Sequence, residues 1–330
     1  MFVVHFLAEQ YKTLPILVNH DTCSGKVYIV TGANAGLGLE TARHLVRCSA
    51  ARVILAVRNL TAGEEAKLDI ERTTGRNGVA EVWHLDLASF ASVQAFAAKA
   101  SSELEQLDGF VANAGILLDK FGLSEGYETS MTVDVISTML LSMLMMPKLV
   151  ESARRSGTEP HLVFVVSALR FTAQKGLAKG GQEDIFKGLN DEKRANMDSR
   201  FALTKLVEMY AVREFASLLP ADKTGVIINM VSPGLCSTGL GREARTWIRA
   251  SQDTLRALMA RTAEQGSRTI LHGAAAGRDS HGTHLSGCEI KEYWLPKWMT
   301  DADGQRKQKQ IWKELVAKME AVKPGCTTAL

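Results

Sequence analysis

The sequence lacks the features that mark secreted, metal-binding and nucleic-acid-binding proteins. Its cysteines are odd in number and scattered, without a CxxC pair or a histidine spacing typical of zinc, so we predict neither a disulfide framework nor a metal site. The formal net charge is only +3 and there is no lysine-rich run, which argues against a nucleic-acid partner. We expect a reduced, cytoplasmic setting. The cysteines are Cys23, Cys48, Cys236, Cys288 and Cys326.

Long apolar runs are missing from the N-terminus. Residues 1–20 hold two short apolar patches, FVVHFLA and LPILV, which are separated by Glu9, Gln10 and Lys12. Neither patch reaches the roughly 20 residues needed to cross a bilayer, and the basic start of a secretion signal is absent. We therefore expect no integral membrane segment. The arm at 1–24 is predicted to pack on the domain or to contact a membrane surface peripherally.

The composition supports a folded α/β domain. The chain has 330 residues, of which 46% are apolar, and this is enough to bury a full core. Short β-branched runs predict strands, and segments with apolar residues at helical spacing separate them. This alternation predicts right-handed crossovers and a doubly wound parallel sheet (Rossmann fold) with helices on both faces. The predicted strands are 26–31, 52–57, 80–85, 108–112, 161–167 and 225–231, with a weaker one at 284–289, and the predicted helices include 37–48, 62–73, 90–104, 130–154 and 199–217.

The stretch from Lys26 to Arg58 carries the strongest local signal. Gly32, Gly36 and Gly38 follow the first strand at the spacing TGxxxGxG, and a helix begins among them. Such glycines let the chain turn tightly and bring backbone amides and the positive end of the helix against a pyrophosphate. About 20 residues beyond the last glycine, NAD-binding chains carry an acidic residue. Arg58 stands there instead and suits the 2′-phosphate of NADP, so we predict NADP(H); the simpler alternative is a solvated arginine.

Two segments lie outside this alternation. Residues 172–198 predict an insertion of the kind that often covers a site, and together with 236–266 they should border an apolar pocket for a hydrophobic small molecule. The tail predicts an amphipathic helix that packs on the domain or on a second subunit of a homo-oligomer. We therefore divide the chain into the arm, a dinucleotide-binding domain at 25–293 and a C-terminal extension at 294–330. The apolar tail residues are Trp298, Ile311, Trp312, Leu315 and Met319.

Several short motifs follow one another in a fixed order. The TGxxxGxG turn is followed by Asp86, Asn113-Ala114-Gly115, Ser167, Lys205 and Pro233-Gly234. Over about residues 25–290 this order resembles the short-chain dehydrogenase/reductase family, and within it the retinol-dehydrogenase-like group and the fungal members near it. The resemblance implies a role in fungal secondary metabolism. It also implies cofactor binding by Thr31, Gly32, Asn34, Gly36, Leu37, Gly38, Arg58, Asp86, Leu87, Asn113, Ala114, Gly115, Lys205, Pro233, Gly234 and Thr238. The simpler alternatives are a helix cap for Asp86 and a plain turn for Pro233-Gly234.

The catalytic group implied by the resemblance is altered in this chain. Family members use Asn, Ser, Tyr and Lys, and the Tyr four residues before the Lys passes a proton while nicotinamide passes hydride. Ser167 and Lys205 match, but Phe201 occupies the Tyr position and Asp134 the Asn position. Because Phe has no O–H and general acid–base catalysis typically contributes about 10² to 10⁴ in rate, ordinary alcohol–ketone exchange should be crippled.

No other tyrosine replaces the missing phenol in an obvious way. Tyr210 lies five residues past Lys205, on another helix face, and Tyr127 and Tyr293 could approach only through loops. Since Asp134 departs from the family pattern as well, we interpret the site as naturally altered rather than engineered.

Three functions are compatible with this altered site. The first is hydride transfer that needs no phenol, such as reduction of an iminium carbon, with Asp134 stabilising the cation or supplying a proton through water. The second is a non-redox cyclase, isomerase or dehydratase that retains NADP(H) as a structural element and uses Asp134, Ser167 and Lys205. The third is a catalytically inactive binding protein. The resemblance favours the first. Simpler structural roles are a strand-end cap for Ser167, an N-terminal helix cap for Asp134 and a solvated helix position for Lys205.

Overall fold

The central sheet organises the part of the chain that the computed structural model describes, residues 9–179, 184–240 and 259–328. Its strands are β1 Val27–Thr31, β2 Arg52–Val57, β3 Ala80–His84, β4 Gly109–Ala112, β7 His161–Val165, β8 Ile227–Ser232, β9 His284–Ser286 and β10 Glu289–Ile290, and a separate hairpin consists of β5 Leu123–Ser124 and β6 Tyr127–Glu128. The order across the sheet is β10-β9-β8-β7-β4-β1-β2-β3. Only β9 and β10 pair antiparallel among these eight strands.

Helices cover both faces of the sheet. The described helices of eleven or more residues are α1 Gly36–Arg47, α2 Leu60–Thr74, α3 Phe90–Glu103, α4 Thr138–Ser156, α5 Arg200–Leu218, α6 Ala263–Gly273 and α7 Ala302–Val322. Residues of α3, α4, α5 and α7 share one apolar core, and residues of α1, α2 and α6 share the other. Short helices and turns complete the described secondary structure: His20–Cys23, Thr129–Met131, Thr132–Ser137, Ala168–Thr172, Gln174–Lys179, Ile185–Leu189, Met197–Ser199, Ala221–Thr224, Arg278–Ser280, Glu292–Trp294 and Lys297–Thr300.

The doubly wound parallel sheet predicted from the sequence is confirmed. Strand order runs outward from the centre in two directions, through β1, β2 and β3 on one side and through β4, β7 and β8 on the other. The observed bounds of the first six predicted strands differ from the prediction by at most two residues, because pairing with a neighbour decides where a strand ends. The carboxyl ends of β1 and β4 form the crevice in which ligands of this architecture bind.

The helical run Thr129–Ser156 crosses the core beside this crevice. It is 28 residues long and apolar enough to span a membrane, but 83% of its most apolar window is buried inside the fold, as in a core helix. Its segment Thr132–Ser137 is a π-helical turn, and Thr138 Oγ1 donates a 2.8 Å hydrogen bond to the Val133 carbonyl oxygen. Turns of this kind often occur at functional sites.

The described part of the N-terminal arm lies against the domain. Leu14 and Val18 are buried, and Arg268 Nη1 donates a 2.7 Å hydrogen bond to the Leu14 carbonyl oxygen. The described ends of the 172–198 insertion also pack into the core through Leu177 and Phe186. Of the two predicted arrangements of the arm, packing on the domain is the one seen for residues 9–24.

The tail forms helix α7, which packs along α5. Trp312 is 7% exposed and stacks on Phe215 of α5, with ring centroids 5.7 Å apart and an interplanar angle of 22°. Ile311, Leu315 and Met319 are fully buried beside it. The predicted apolar face of the tail therefore contacts the same chain, on the helix that carries Phe201 and Lys205.

We expect Trp312→Ala to lower the free energy of unfolding by about 3 to 5 kcal/mol, because it leaves a cavity against Phe215. Urea denaturation measures this change. Lys313→Ala, at the exposed neighbouring position, is the control and should change the free energy by no more than about 0.5 kcal/mol. Equal effects of the two substitutions would contradict the packing described for α7.

Candidate active site

The glycine-rich turn is tied to the end of the neighbouring strand. Thr31 Oγ1 accepts hydrogen bonds from the backbone N–H groups of Asn113 and Ala114, each at 2.9 Å. Asn113 Nδ2 donates in return to the Thr31 carbonyl oxygen at 2.8 Å. Two motifs that lie about eighty positions apart in the chain are thus held together at the crevice, as the resemblance implies.

Close backbone approach within the turn requires glycine. A Cβ atom on Gly38 would lie 2.5 Å from the Gly32 carbonyl oxygen and 2.6 Å from Asn113 Nδ2. Gly32 and Gly36 have φ values of +67° and +57°, in the left-handed region that favours glycine. The sequence therefore produces a compact turn that leaves backbone amides accessible to a ligand.

Helix α1 begins without a side-chain cap. Its N-cap residue, Ala35, makes no capping hydrogen bond, whereas α2, α3, α6 and α7 are capped by side chains of Asn59, Ser89, Thr262 and Asp301. The amides of the first turn of α1 have no intrahelical acceptor, and the helix dipole adds partial positive charge there. Asn34 and Leu37 flank this helix start. The arrangement suits an anion such as a pyrophosphate.

The next two strand ends carry the predicted adenosine contacts. Arg58 follows β2 and is exposed, with no side-chain hydrogen bond or ion pair to any described residue. Asp86 follows β3, and its Oδ1 accepts a 2.9 Å hydrogen bond from Ala88 N–H in the turn before α3. The N-cap of α3 is Ser89, so the helix-cap role that we considered as the simpler alternative for Asp86 is wrong. Leu87 is buried beside it. One Asp86 oxygen is used by this turn.

The loop after β8 lies over the glycine-rich turn. A Cβ atom on Gly36 would lie 3.3 Å from Thr238 Cβ, so these two predicted cofactor residues are neighbours. Gly234 has φ of +88°, and Arg261 Nη1 donates to the Pro233 carbonyl oxygen at 2.8 Å. Of the three predicted residues of this loop, Thr238 is the one that the structure places next to the turn, and cofactor contact by the loop stays a prediction.

Sequence reasoning missed the residue that holds this loop. Gln10 is 4% exposed, and its Oε1 accepts from Leu235 N–H at 3.0 Å. Its Nε2 donates to the carbonyl oxygens of Leu235 and Met259 at 2.7 and 2.8 Å. Because the partners are more than two hundred positions away, no local pattern indicates this contact.

Lys205 is buried rather than solvated, so the simpler alternative for it is wrong. It is 4% exposed, and its Nζ donates to the Val165 carbonyl oxygen at 3.0 Å and to Glu208 Oε2 at 2.8 Å. Burial lowers the pKa of Lys205, but the charges of Glu208 and Asp134 outweigh it and raise that pKa above its ordinary value. The ammonium therefore keeps its charge. Glu208 was not identified from the sequence.

Asp134 lies inside the π-helical turn and not at a helix start, so its proposed role as an N-terminal cap is wrong. Its side chain is fully buried. Oδ1 accepts from Ile116 N–H at 2.9 Å, and Oδ2 accepts from Thr204 Oγ1 at 2.8 Å. Burial raises the pKa of this carboxyl to about 6, although Lys205 opposes the shift. With both oxygens engaged, Asp134 holds α5 and the loop after β4 in place.

Ser167 and Phe201 are the half-buried members of the group. Ser167 Oγ accepts a 3.2 Å hydrogen bond from Leu169 N–H, so it caps the turn after β7 as its simpler alternative proposed, and its hydroxyl proton is still available. None of the five tyrosines hydrogen bonds to Asp134, Ser167 or Lys205 in the described chain. Tyr210, for example, is fully buried in the core. Among the described contacts, no tyrosine therefore replaces the phenol that is missing at position 201.

A buried arginine behind Ser167 was also missed. Arg170 is fully buried, and its Nη1 donates to the Ser167 carbonyl oxygen and to Ser232 Oγ, the latter at 2.9 Å. Burial lowers the pKa of Arg170 to about 9. Ser232 Oγ also contacts His284 Nε2 at 3.0 Å, and burial keeps the pKa of that imidazole well below its usual range. The local sequence around Arg170 reads SALR, and nothing in this pattern predicts the network.

The predicted apolar pocket remains untested by this geometry. Residues 180–183 of the insertion and residues 241–258 of the second segment that should border the pocket lie outside the described residues, so the pocket stays a prediction. Within the described ranges, no group of three or more His, Cys, Asp or Glu side chains is arranged to hold a metal ion.

Comparison with known proteins gives matches along the whole chain. A family model described as short chain dehydrogenase matches residues 26–179. The short chain dehydrogenase/reductase dmxR8 of Cryptosporiopsis sp. is 42% identical over 332 residues, which cover 98% of this chain and 99% of that protein. The short chain dehydrogenase atnD of Emericella nidulans is 44% identical over 288 residues, which cover 86% and 90%.

Solved structures share the fold at lower sequence identity. A short chain dehydrogenase from Escherichia coli, crystallised with NADPH, has a TM-score of 0.61 and 23% identity and covers 82% of this chain and 99% of its own. One from Shigella flexneri, crystallised with NADP, has a TM-score of 0.61 and 21% identity and covers 82% and 100%. At these identities the likeness supports the fold alone.

Proposed function

The chain belongs to the short-chain dehydrogenase family, and from this premise we propose that it is an NADP(H)-binding enzyme with an atypical reaction. Its substrate is a hydrophobic small molecule, and its setting is fungal secondary metabolism in the cytoplasm. The reaction proceeds without a phenolic proton donor. The observation that carries this proposal is an intact dinucleotide cradle beside a catalytic position occupied by Phe201.

The chain's own residues fit the cofactor. The start of α1, which has no side-chain cap, and the close approach at Gly38 provide amides for a pyrophosphate, and Arg58 provides an exposed cation for a 2′-phosphate. NADP or NADPH bound to the two bacterial proteins of the same fold supports this assignment. When bound, the nicotinamide supplies or accepts hydride.

The remaining catalytic residues favour a substrate that needs no proton on oxygen. Ser167 offers a hydroxyl for orientation, and Lys205 offers charge, but Phe201 can neither donate nor accept a proton. An iminium carbon is already cationic and accepts hydride without general acid catalysis. Asp134 is fully buried and accepts two hydrogen bonds, so it would stabilise positive charge through its electric field rather than by contact with the substrate. We therefore favour iminium-type reduction.

A non-redox cyclase, isomerase or dehydratase is the second candidate. It would retain NADP(H) as a structural element and use Asp134, Ser167 and Lys205 on the substrate. A binding role without turnover is the third. Incubation with NADPH and candidate substrates separates the three: NADPH oxidation supports reduction, product at constant nicotinamide absorbance supports the second, and cofactor binding without any product supports the third.

We expect Arg58→Ala to weaken NADPH binding about tenfold or more while leaving NADH binding unchanged, because only NADPH carries the 2′-phosphate that the guanidinium would bind. Fluorescence titration with both cofactors measures this difference. Arg154→Ala, an exposed arginine at the end of α4, is the control. An equal loss for NADPH and NADH would contradict the role assigned to Arg58.

A further inference from the structure

One face of α5 carries the polar part of the site. Phe201, Thr204, Lys205 and Glu208 follow one another at positions i, i+3, i+4 and i+7, which share a face of a helix. Phe201 is half-buried, whereas Thr204, Lys205 and Glu208 are 0%, 4% and 1% exposed. Glu208 thus lies about one helical turn beyond Lys205, on the opposite side from the position where the phenol is missing.

The hydrogen bonds of Lys205 leave one N–H for a ligand. An ammonium has three donors, and those of Lys205 reach the Val165 carbonyl oxygen at 3.0 Å and Glu208 Oε2 at 2.8 Å. On another side of Nζ lies Gly115, where a Cβ atom would be 3.6 Å from Nζ and 3.3 Å from Asp134 Oδ1. Among the described residues, the hydrogen bonds of Nζ are those to Val165 and Glu208, which leaves the third donor for a ligand in the crevice.

The charges around Glu208 come from three elements. Lys205 lies on the same helix, Asp134 on the π-helical turn, and Arg170 on the turn after β7. Burial raises the pKa of Glu208 to about 7, with Lys205 opposing the shift. Around Arg170 lie the charges of Glu292 and Arg213 and the neutral imidazole of His284. The cluster thus combines two cations and two carboxylates inside the fold.

We propose that Glu208 is a positioning residue that keeps Lys205 protonated and directs its free N–H toward the ribose of the dinucleotide. A buried ammonium without a partner is strongly disfavoured, so its pKa falls and it loses its proton at a lower pH than an exposed lysine does. Because Phe201 has no phenolic oxygen, it cannot help to stabilise the ammonium of Lys205. Among the described hydrogen-bond partners of Lys205, Glu208 is the one that carries a negative charge. This inference rests on the proposed NADP(H) binding.

The test is the pH dependence of NADPH affinity, measured by fluorescence titration at pH 6.5 and 8.5. In Glu208→Gln the pKa of Lys205 falls, so we expect affinity to drop about 5- to 10-fold more between these pH values than in the wild type. The 2′-phosphate titrates equally in every variant, so the ratio of variant to wild type removes its effect. Glu208→Asp, which retains the carboxylate, should restore most of the wild-type ratio.

Glu214→Gln is the matched control, because Glu214 lies on α5 but accepts its hydrogen bond from Gln308, in the tail. A lower melting temperature of Glu208→Gln with an unchanged pH ratio would indicate a merely structural residue and overturn the inference. If Glu208→Gln does not fold, Glu208→Ala replaces it. A steeper fall of NADPH affinity with pH in Glu208→Ala than in Glu208→Asp supports the inference, and the same pH ratio in both variants overturns it. No NADPH binding by the wild type would instead overturn the proposed function itself.

Discussion

Phe201→Tyr is expected to raise the rate of NADPH-dependent reduction of hydrophobic ketones about 10²- to 10⁴-fold over the wild type. The substitution adds an O–H four residues before Lys205, on the same helix face, and this restores the proton donor that the family pattern places there. The charge of Lys205 would favour the phenolate, as a nearby cation lowers the pKa of an acid. Loss of NADPH absorbance with a panel of ketones measures the gain.

A second substitution separates proton transfer from altered substrate binding. Phe201→Tyr/Lys205→Met retains the phenol but removes the ammonium, so most of the gain should disappear. Phe201→Tyr/Asp134→Asn completes the family's catalytic group and should equal or exceed the single variant. A wild-type chain that already reduces these ketones as fast as Phe201→Tyr would show that the phenol does not limit the reaction.

Gly38→Ala is expected to weaken NADPH binding by about 100-fold or more. Its methyl group would overlap the Gly32 carbonyl oxygen at 2.5 Å and Asn113 Nδ2 at 2.6 Å, so the turn and the start of α1 must move apart. Overpacking of this kind typically costs about 1 to 3 kcal/mol of stability, which a domain of this size can survive, whereas the phosphate site depends on the local geometry. Isothermal titration calorimetry with NADPH measures the loss.

Gly122→Ala provides the control for Gly38→Ala. Among the described atoms, a Cβ atom there would meet Thr129 Oγ1 alone, at an ordinary 3.6 Å, and Gly122 has no left-handed backbone conformation. We expect its NADPH affinity to stay within about twofold of the wild type, since nothing near the cradle moves. Thermal melting of both variants shows whether each remains folded. Normal NADPH affinity in a folded Gly38→Ala chain would remove the physical basis of the proposed cradle.

Local sequence patterns predicted much of the candidate active site. The spacing of Gly32, Gly36 and Gly38 identified the turn, and FALTK identified Phe201 and Lys205 four positions apart, because one turn of helix makes sequence spacing and spatial proximity equivalent. Strand and helix periodicity likewise identified the sheet. Where a residue's role depends on its immediate neighbours, the order of the chain is sufficient evidence.

Other roles depended on partners from distant segments. From the sequence alone, Lys205 could be solvated or buried. Only the packing of α5 on the sheet places its Nζ beside the Val165 carbonyl oxygen. Gln10 lies in a segment without any motif, yet it holds the loop at Leu235. The cap interpretation of Asp134 failed for the same reason, since the helix extends upstream through Thr129.

By itself, the order of residues determined the fold class, the phosphate-binding turn and the loss of the phenol at Phe201, because these follow from short-range spacing and from the chemistry of single side chains. Only the tertiary structure decided that Asp134 is fully buried and that Lys205 forms an ion pair with Glu208, on which the charge of Arg170 also acts. Burial and electrostatic coupling are collective properties of several strands and helices, so they exist only once the sheet has brought those elements together.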